Sequence, residues 1–457
     1  MKKFQYSIHL FQCDLRLHDN TALIAALSQS DQVVPVFIFD ERQHSDLHKG
    51  ENSFQFMVNS LNELDYKLRG MGSQLYLFSG ITEELIERLL YELPVEAVFL
   101  NREYTPFSRE RDKNLAAVCA KRDICFSSYS DSLLTEPEQV LKSDGTPYTI
   151  FTPFLRKAKE LLVPKPVHNN DTNYFRGAIS FQQPDSYIGG LFGGLKKDLL
   201  LKGGRKEGEA LIANLERLSD YDKTRNIPSL QGTSLLSAHH KHGTVSIRET
   251  YQAISDLFGS VHTLINELYW RDFFIHIAFH FPKVFERPFH SKYENIEWEN
   301  GDRKFVKWCA GETGFPIVDA GIRELVSTGY MHNRVRMIVA SFLVKDLHID
   351  WRWGELFFAN HLIDYDRAVN NGNWQWAAST GCDAQPYFRI FNPWRQQQKF
   401  DQECIYIKKW IPELALLSEK EIHKMYSLKI AVPNYPFPIV DHSYEAIVSK
   451  EIFSKLK

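Results

Sequence analysis

Two hydrophobic rhythms divide this chain, and any fold must accommodate both. Up to about residue 130, short apolar runs recur: YSIHLF at 6–11, VVPVFIFD at 33–40, QLYLFSG at 74–80, AVFLN at 97–101 and ICFSSYS at 124–130. Amphipathic stretches such as 51–69 and 106–121 lie between them. This β-α-β-α order predicts an α/β domain over 1–130, a doubly wound parallel sheet covered by helices. Beyond 206 the strand signals almost vanish. Helical periodicity over 207–219, 262–280, 316–327 and 332–346 predicts an all-α domain over 206–457. In between, over 131–205, prolines recur and periodicity weakens. The segment GGLFGGLKKDLLLKGGRK at 189–206, with three Gly pairs, reads as the flexible part of a long connector.

Composition removes several function classes. At 457 residues the chain exceeds one hydrophobic core, and 44% apolar content is ample for burial. A formal charge of -3 does not announce a nucleic-acid binder, so any such contact must rest on a local basic patch. Gly70 and Gly72 lack a third glycine at the dinucleotide offset, and no Gly-Lys precedes a Ser or Thr, so nicotinamide and P-loop sites are not expected. The six cysteines form no C-x-x-C pair, which predicts neither a metal site nor disulfides and points to a reducing, cytoplasmic setting. Residues 4–11 are apolar but too short to span a bilayer, and no cleavage site follows them. No membrane association is expected.

The densest chemistry lies in LIDYDRAVNNGNWQWAASTGCDAQPYFRIFNP at 362–393. It sets Asp364, Asp366, Asn370, Asn371, Trp374 and Trp376 within thirteen residues, a polar pocket beside two indoles. That combination suits a large conjugated cofactor better than a hydrolytic centre. In NELYWRDFF, Glu267, Trp270, Arg271 and Phe274 fall at i, i+3, i+4 and i+7, so one helix face carries a carboxylate, an indole, a guanidinium and a ring. On spacing alone, a helical ion pair flanked by core aromatics is the stronger explanation, by roughly two to one. Asn333 and Met337 stand one helical turn apart, with Arg334 and Arg336 alongside. Gly232 before Thr233 and Ser234 allows close backbone approach to an anion, although a turn and helix cap would use the same residues. His239, His240 and His242 have no suitably spaced acidic or thiol partner and are expected to be solvated or hydrogen-bonded, whereas His332 is expected to make a structural hydrogen bond.

Taken together, these segments resemble the DNA photolyase and cryptochrome family over nearly the whole chain, most densely between 221 and 410. The resemblance implies FAD as cofactor, reduced in the active form. It places Tyr221, Thr233, Ser234, Leu235, Leu236, Ser237, Glu267, Arg271, Arg336, Asp364, Tyr365, Asp366 and Asn370 at flavin-contacting positions. It assigns Glu267, Asn333, Met337, Trp270 and Trp376 to the lesion, and Trp298, Trp351 and Trp374 to an electron relay. Arg225, Asn333, Arg334 and Gln396, with Lys399 nearby, fall where DNA is met. An amide and a thioether at 333 and 337, in place of two histidines, resemble the class I enzymes for cyclobutane pyrimidine dimers. Asn370 favours repair over plant-type signalling.

The expectation is therefore light-driven repair of UV-damaged DNA by a monomer without an obligate protein partner. A cryptochrome photoreceptor is the alternative; it would typically append a signalling tail, whereas this sequence runs only to Lys457. A redox flavoenzyme, the third class, would need a nicotinamide site. Departures from the family pattern occur at Leu264, where a Trp is frequent, and at Gln12 and Cys13. Phe107 and Ser108 stand where folate-binding relatives carry Asn and Glu, with Glu103 as a displaced carboxylate. A conventionally held folate is therefore not expected, and the N-terminal domain is expected to hold a deazaflavin, a flavin or no antenna chromophore.

Overall fold

The computed structural model describes residues 2–44, 50–184, 186–192 and 198–456. Their contacts define two compact units, each treated separately below. The first takes the described residues of Met1–Lys196, Leu201–Glu216 and Ser234–Pro282; the second takes those of Lys197–Leu200, Arg217–Thr233 and Lys283–Lys457.

In the first unit β1 (Phe4–Phe11), β2 (Ser30–Asp40), β3 (Tyr76–Gly80), β4 (Ala97–Asn101) and β5 (Cys125–Tyr129) form one sheet in the order β3-β2-β1-β4-β5. Every pairing is parallel, with Leu10 opposite both Val36 and Leu100. Strand alternation sends Ile8, Leu10, Val34, Val36 and Val98 into one buried cluster and Phe11, Val33, Phe37, Phe39 and Phe99 into another. Both faces are therefore covered, as a parallel sheet requires.

Two of the covering helices begin on side-chain caps. Asn20 caps α1 (Thr21–Gln29), while α2 (Glu51–Gly70) and α3 (Thr82–Glu92) follow β2 and β3. Thr105 caps α4 (Pro106–Ala120), with proline in its first turn where no N–H is needed. Pro35 lies inside β2, one residue before β3 pairing begins at Val36 opposite Tyr76. Val33 donates its N–H to Asn173 and accepts from Phe175, so by alternation Pro35 faces the same side.

The stretch read as a connector carries structure of its own. Helix α5 (Phe151–Ala158) packs on α7 (Thr263–His280), and Tyr174 bridges to Val33. Between them in sequence lies α6 (Ile247–Phe258), which starts on a reciprocal capping box of Ser246 and Glu249. Of the three glycine pairs, Gly193–Gly194 falls outside the described residues. Gly203–Gly204 is a site of close packing rather than a flexible link: a Cβ at Gly203 would stand 1.9 Å from the Phe56 carbonyl oxygen of α2. The periodicity over 207–219 resolves into a helix at Arg205–Ala213 and a 3-10 turn at Leu215–Leu218.

The second unit is helical among its described residues. Helices α8 (Asp302–Ala310), α9 (Pro316–Thr328), α10 (Asn333–Lys345), α11 (Trp351–His361), α12 (Arg367–Ala378), α13 (Pro393–Phe400) and α14 (His442–Ser454) build it. Its core gathers Trp308, Ile317, Val335, Phe342, Trp351, Phe358 and Trp374. Among the described residues no helix is long and apolar enough to cross a membrane.

Candidate functional site

The candidate residues fall into two sets, one in each unit. In the first unit α7 presents Glu267, Trp270 and Arg271, all half-buried, on successive turns. Trp270 stacks on Phe151 with ring centroids 3.6 Å apart and planes 11° apart, and lies 5.5 Å from Phe274. The stack on Phe151 and the tilted contact with Phe274 hold the indole as an apolar wall. Arg271 Nη1 donates to the Ser132 carbonyl at 2.6 Å.

Next to Arg271, Asp272 is fully buried. Its Oδ2 accepts from the backbone N–H of Leu134 and Thr135 at 2.9 and 3.0 Å. Burial pushes this carboxyl up to about 7, against the opposing pull of Arg271 and the two N–H groups. Leu264 is buried in the core.

Ser234, Leu235, Leu236 and Ser237 lead into the short helix Ser237–His242. Leu235 holds φ +61°, a left-handed conformation costly for a branched side chain, so the surrounding structure enforces it. The three neighbouring histidines are buried rather than solvated. His239 meets the Thr244 hydroxyl and His240 that of Thr250, each at 2.8 Å, and His242 meets Ser53 at 3.2 Å. Among the described residues no group of His, Cys, Asp and Glu could hold a metal ion.

In the second unit, α10 carries exposed Asn333 and half-buried Met337 one turn apart. His332 caps this helix: its Nδ1 accepts the Arg334 N–H at 3.2 Å, the structural bond expected of it. Arg334 donates twice to Asn226 Oδ1, at 3.1 and 2.6 Å, and its guanidinium lies 4.5 Å from the Phe400 ring centre. Arg336 donates through Nε to the Met331 carbonyl at 2.7 Å and through Nη2 to Asp364 at 3.0 Å. Burial alone would lower the Arg336 pKa, but Asp364 and its other anionic neighbours outweigh it and hold the guanidinium charged.

Asp366 accepts the N–H groups of Ala368 and Val369 and so starts α12. One turn on, the Asn370 amide donates to both the carbonyl and the carboxylate of Glu355, each at 3.1 Å. That pairing fixes which end of the amide is the donor, leaving Oδ1 as the acceptor turned elsewhere. Tyr221 is buried with the Arg225 guanidinium 5.6 Å from its ring centre. Thr233 meets the Tyr330 hydroxyl at 3.5 Å, and its carbonyl accepts from Arg217 at 2.6 Å. A Cβ at Gly232 would stand 2.7 Å from the Thr224 carbonyl oxygen.

Tyr365 and Trp376 are half-buried, as is Gln396 on α13, whereas Lys399 is exposed. Trp351 and Trp374 are each 2% exposed within one core, against which half-buried Trp298 packs. Three contributors escaped sequence reasoning: Glu355, Asn226 and Trp308. Glu355 and Trp308 stand in no recognised motif, a carboxylate in the apolar run GELFF being the only signal, whereas Asn226 lies in the 221–246 segment that resembles the family's phosphate loop.

This donor set fits a flavin. In the second unit a charged guanidinium held by an aspartate, an oriented amide and the half-buried rings of Tyr365 and Trp376 offer the hydrogen bonds and flat surfaces that suit such a cofactor. Near the expected antenna position, Ser108 donates to Glu103 at 3.0 Å and Arg111 donates to the same carboxylate oxygen at 3.1 Å. Burial would raise Glu103, but Arg111 and Lys241 keep it ionised below its ordinary value.

Comparison with known proteins agrees with this geometry. Residues 7–170 match the family model described as DNA photolyase, and 264–455 match that of the FAD binding domain of DNA photolyase. A deoxyribodipyrimidine photo-lyase of Synechococcus sp. is 38% identical, the alignment covering 97% of this chain and 95% of the relative. An archaeal photolyase from Sulfolobus tokodaii, solved with two FAD molecules, superposes with a TM-score of 0.88 at 40% identity, covering 99% of this chain and 100% of that one. A Synechocystis cryptochrome gives a TM-score of 0.88 at 29% identity over 99% of this chain and 100% of its own. An α/β sheet unit with a helical flavin-binding unit defines the class, a light-active flavoprotein. The chain belongs to the DNA photolyase family.

Proposed function

We propose that this protein repairs cyclobutane pyrimidine dimers in UV-damaged DNA, using light absorbed by reduced FAD. The observation that carries the substrate assignment is α10, where Asn333 and Met337 stand one turn apart beside Arg334 and Arg336. An amide can hydrogen-bond the exocyclic oxygens of a pyrimidine and a thioether packs against its ring, without a histidine to act as an acid.

Reduced FAD, when bound, supplies a photo-excited electron for splitting the dimer, and the residues assigned to hold it are those named in the sequence reading. Arg271 and Arg336 hold positive charge, Asp366 and Asn370 orient polar edges, and Tyr221 and the 233–237 segment take the phosphates. On the lesion side, Glu267 hydrogen-bonds the dimer as its charge grows, and Trp270 and Trp376 exclude water with apolar faces. A dimer must leave the base stack to reach such a site, and a lesion is already poorly stacked. Arg225, Arg334, Asn333 and Gln396 meet the strand, with Lys399 at the margin. Trp374, Trp351 and Trp298 relay electrons when oxidised FAD must be reduced.

This reading takes the protein to be monomeric, intracellular and free of an obligate protein partner, with 1–130 as the antenna domain, 131–205 as connector and 206–457 as the catalytic domain. The antenna chromophore is a flavin or deazaflavin if one is bound, because Ser108 is already engaged with Glu103, and Glu103 also with Arg111. The S. tokodaii relative with two FAD molecules supports a flavin there. The cryptochrome similarity supports a second reading, a blue-light receptor using the same flavin residues. Illumination of thymine-dimer DNA with reduced, FAD-loaded protein separates the two. Dimer loss supports repair; binding without dimer loss under light, or splitting only of pyrimidine-pyrimidone adducts, overturns the assignment.

A further inference from the structure

We propose that the tryptophan relay forks at Trp374, with a second branch running through Trp308 to Trp353. The fork rests on the relay reading of Trp374 and adds two residues to it. Trp308 meets Trp374 edge to face, with centroids 6.4 Å apart and planes at 68°. On its other side Trp308 stacks on Phe305 at 5.8 Å and 17°, and Phe305 meets Trp353 at 5.1 Å and 74°. The four rings therefore form a continuous aromatic file from the buried core to a half-buried indole.

Electron tunnelling weakens exponentially with separation, so short hops between touching rings outpace one long jump. Indoles are the natural stations, because they give up an electron without having to lose a proton at the same moment. Phe305 is too hard to oxidise and serves as bridging matter between Trp308 and Trp353.

Trp374 gives one electron to photo-excited oxidised flavin and becomes an indole radical cation. Trp308 refills it with one electron and takes over the cation. Trp308 is fully buried and its Nε1–H donates to the Val339 carbonyl at 3.3 Å, so no water is at hand to take the proton. The cation therefore stays mobile and passes on when Trp353 supplies an electron. The partly exposed Trp353 ring meets water, which accepts its Nε1 proton and leaves a neutral indole radical. An external thiol returns one electron and one proton to that radical. The net change is one electron moved from thiol to flavin and one proton from thiol to water, leaving a thiyl radical.

The test uses FAD-loaded, oxidised protein in thiol buffer. Flash absorption follows the tryptophanyl radical, and peptide mapping after illumination in air locates oxidised tryptophan; circular dichroism and bound-flavin content check folding. Trp351→Phe closes the other branch. It should retain part of the long-lived radical signal and accumulate oxidation at Trp353. Trp351→Phe/Trp353→Phe should fall to the level of Trp374→Phe in both readouts, and Trp351→Phe/Trp308→Phe should do the same. Because Trp353 is half-buried, its replacement leaves the core filled, so the experiment does not depend on the Trp308 variant folding. A Trp351→Phe protein as silent as Trp374→Phe, or a Trp353 double variant no weaker than Trp351→Phe, overturns the fork. Undiminished photoreduction in Trp374→Phe would instead remove the relay on which the fork rests.

Discussion

Gly354→Ala in α11 sets two known effects against each other. Replacing glycine in a helix interior stabilises by about 1 kcal/mol, because the unfolded chain loses less freedom. The added Cβ, however, would stand 2.1 Å from Cη2 and 2.5 Å from Cζ3 of Trp374, and 2.6 Å from Leu343 Cδ2. Carbon atoms settle at roughly 3.5–4.0 Å, so the indole must withdraw by more than about 1 Å. It has little room, since Phe358 lies 4.9 Å away on one side and Trp308 6.4 Å on another. Overpacking of this kind costs about 1–3 kcal/mol and more when backbone must shift, so the sign is net destabilisation of up to about 2 kcal/mol. For a domain of this size that lowers Tm by up to roughly 8 °C. Because the displaced ring is the proposed donor to oxidised flavin, photoreduction should slow in the same variant. Thermal melts followed by near-UV circular dichroism, with flash photoreduction on the same samples, check both parts. An equal or higher Tm with unchanged photoreduction would refute the packing argument.

Four further outcomes follow from other residues. Glu267→Ala should lower repair yield more than DNA affinity, because a hydrogen bond to the charged dimer strengthens as charge develops; equal losses in both would assign Glu267 to binding alone. Affinity should weaken as salt rises, and Arg334→Ala should weaken damaged and undamaged DNA alike if Arg334 meets phosphate; full affinity in a filter-binding titration removes it from the interface. Native Asp272 keeps its proton up to about 7 whereas an unfolded aspartate loses it near its ordinary value of 3.8. The native state therefore holds more protons across that window and stability falls as pH rises through it. Asp272→Asn should flatten the slope in urea titrations, and an unchanged slope would contradict the assignment. Chromatography of chromophores released after expression in a folate-replete host should show FAD without stoichiometric methenyltetrahydrofolate; finding that folate in equal amount would refute the antenna reading.

Much of the fold was written in local periodicity. Each strand of the first unit appeared as an apolar run within three residues of its final bounds, because both sheet faces are covered and most side chains along the central strands are buried in one of two apolar clusters. Helix α9 was equally plain, since its start at Pro316 and its end at Gly329 are chemical signals rather than averages. The site was legible as a list of residues, not as their second partners. Nothing near position 355 says that its carboxylate orients Asn370, because that pairing joins two helices through tertiary packing. Trp308 likewise gave no sign, as its meaning depends on the ring beside it. Gly203 misled for the opposite reason: the same residue type serves slack chain and tight contact, and only the Phe56 carbonyl at its α-carbon distinguishes them.

Pro35 gives the sheet a form of punctuation. It has no amide hydrogen, and it lies on the edge of β2 that accepts the 173–175 segment at Val33 and β3 from Val36 onward. One length of strand edge is thereby split into two berths with a gap that neither occupant can bridge. If β3 slid toward the start of β2 it would face a missing donor, and if the 173–175 segment crept forward it would meet the same gap. A parallel sheet whose strands arrive from distant parts of the chain must reject neighbouring registers, and here one imino acid excludes the intrusion from both directions.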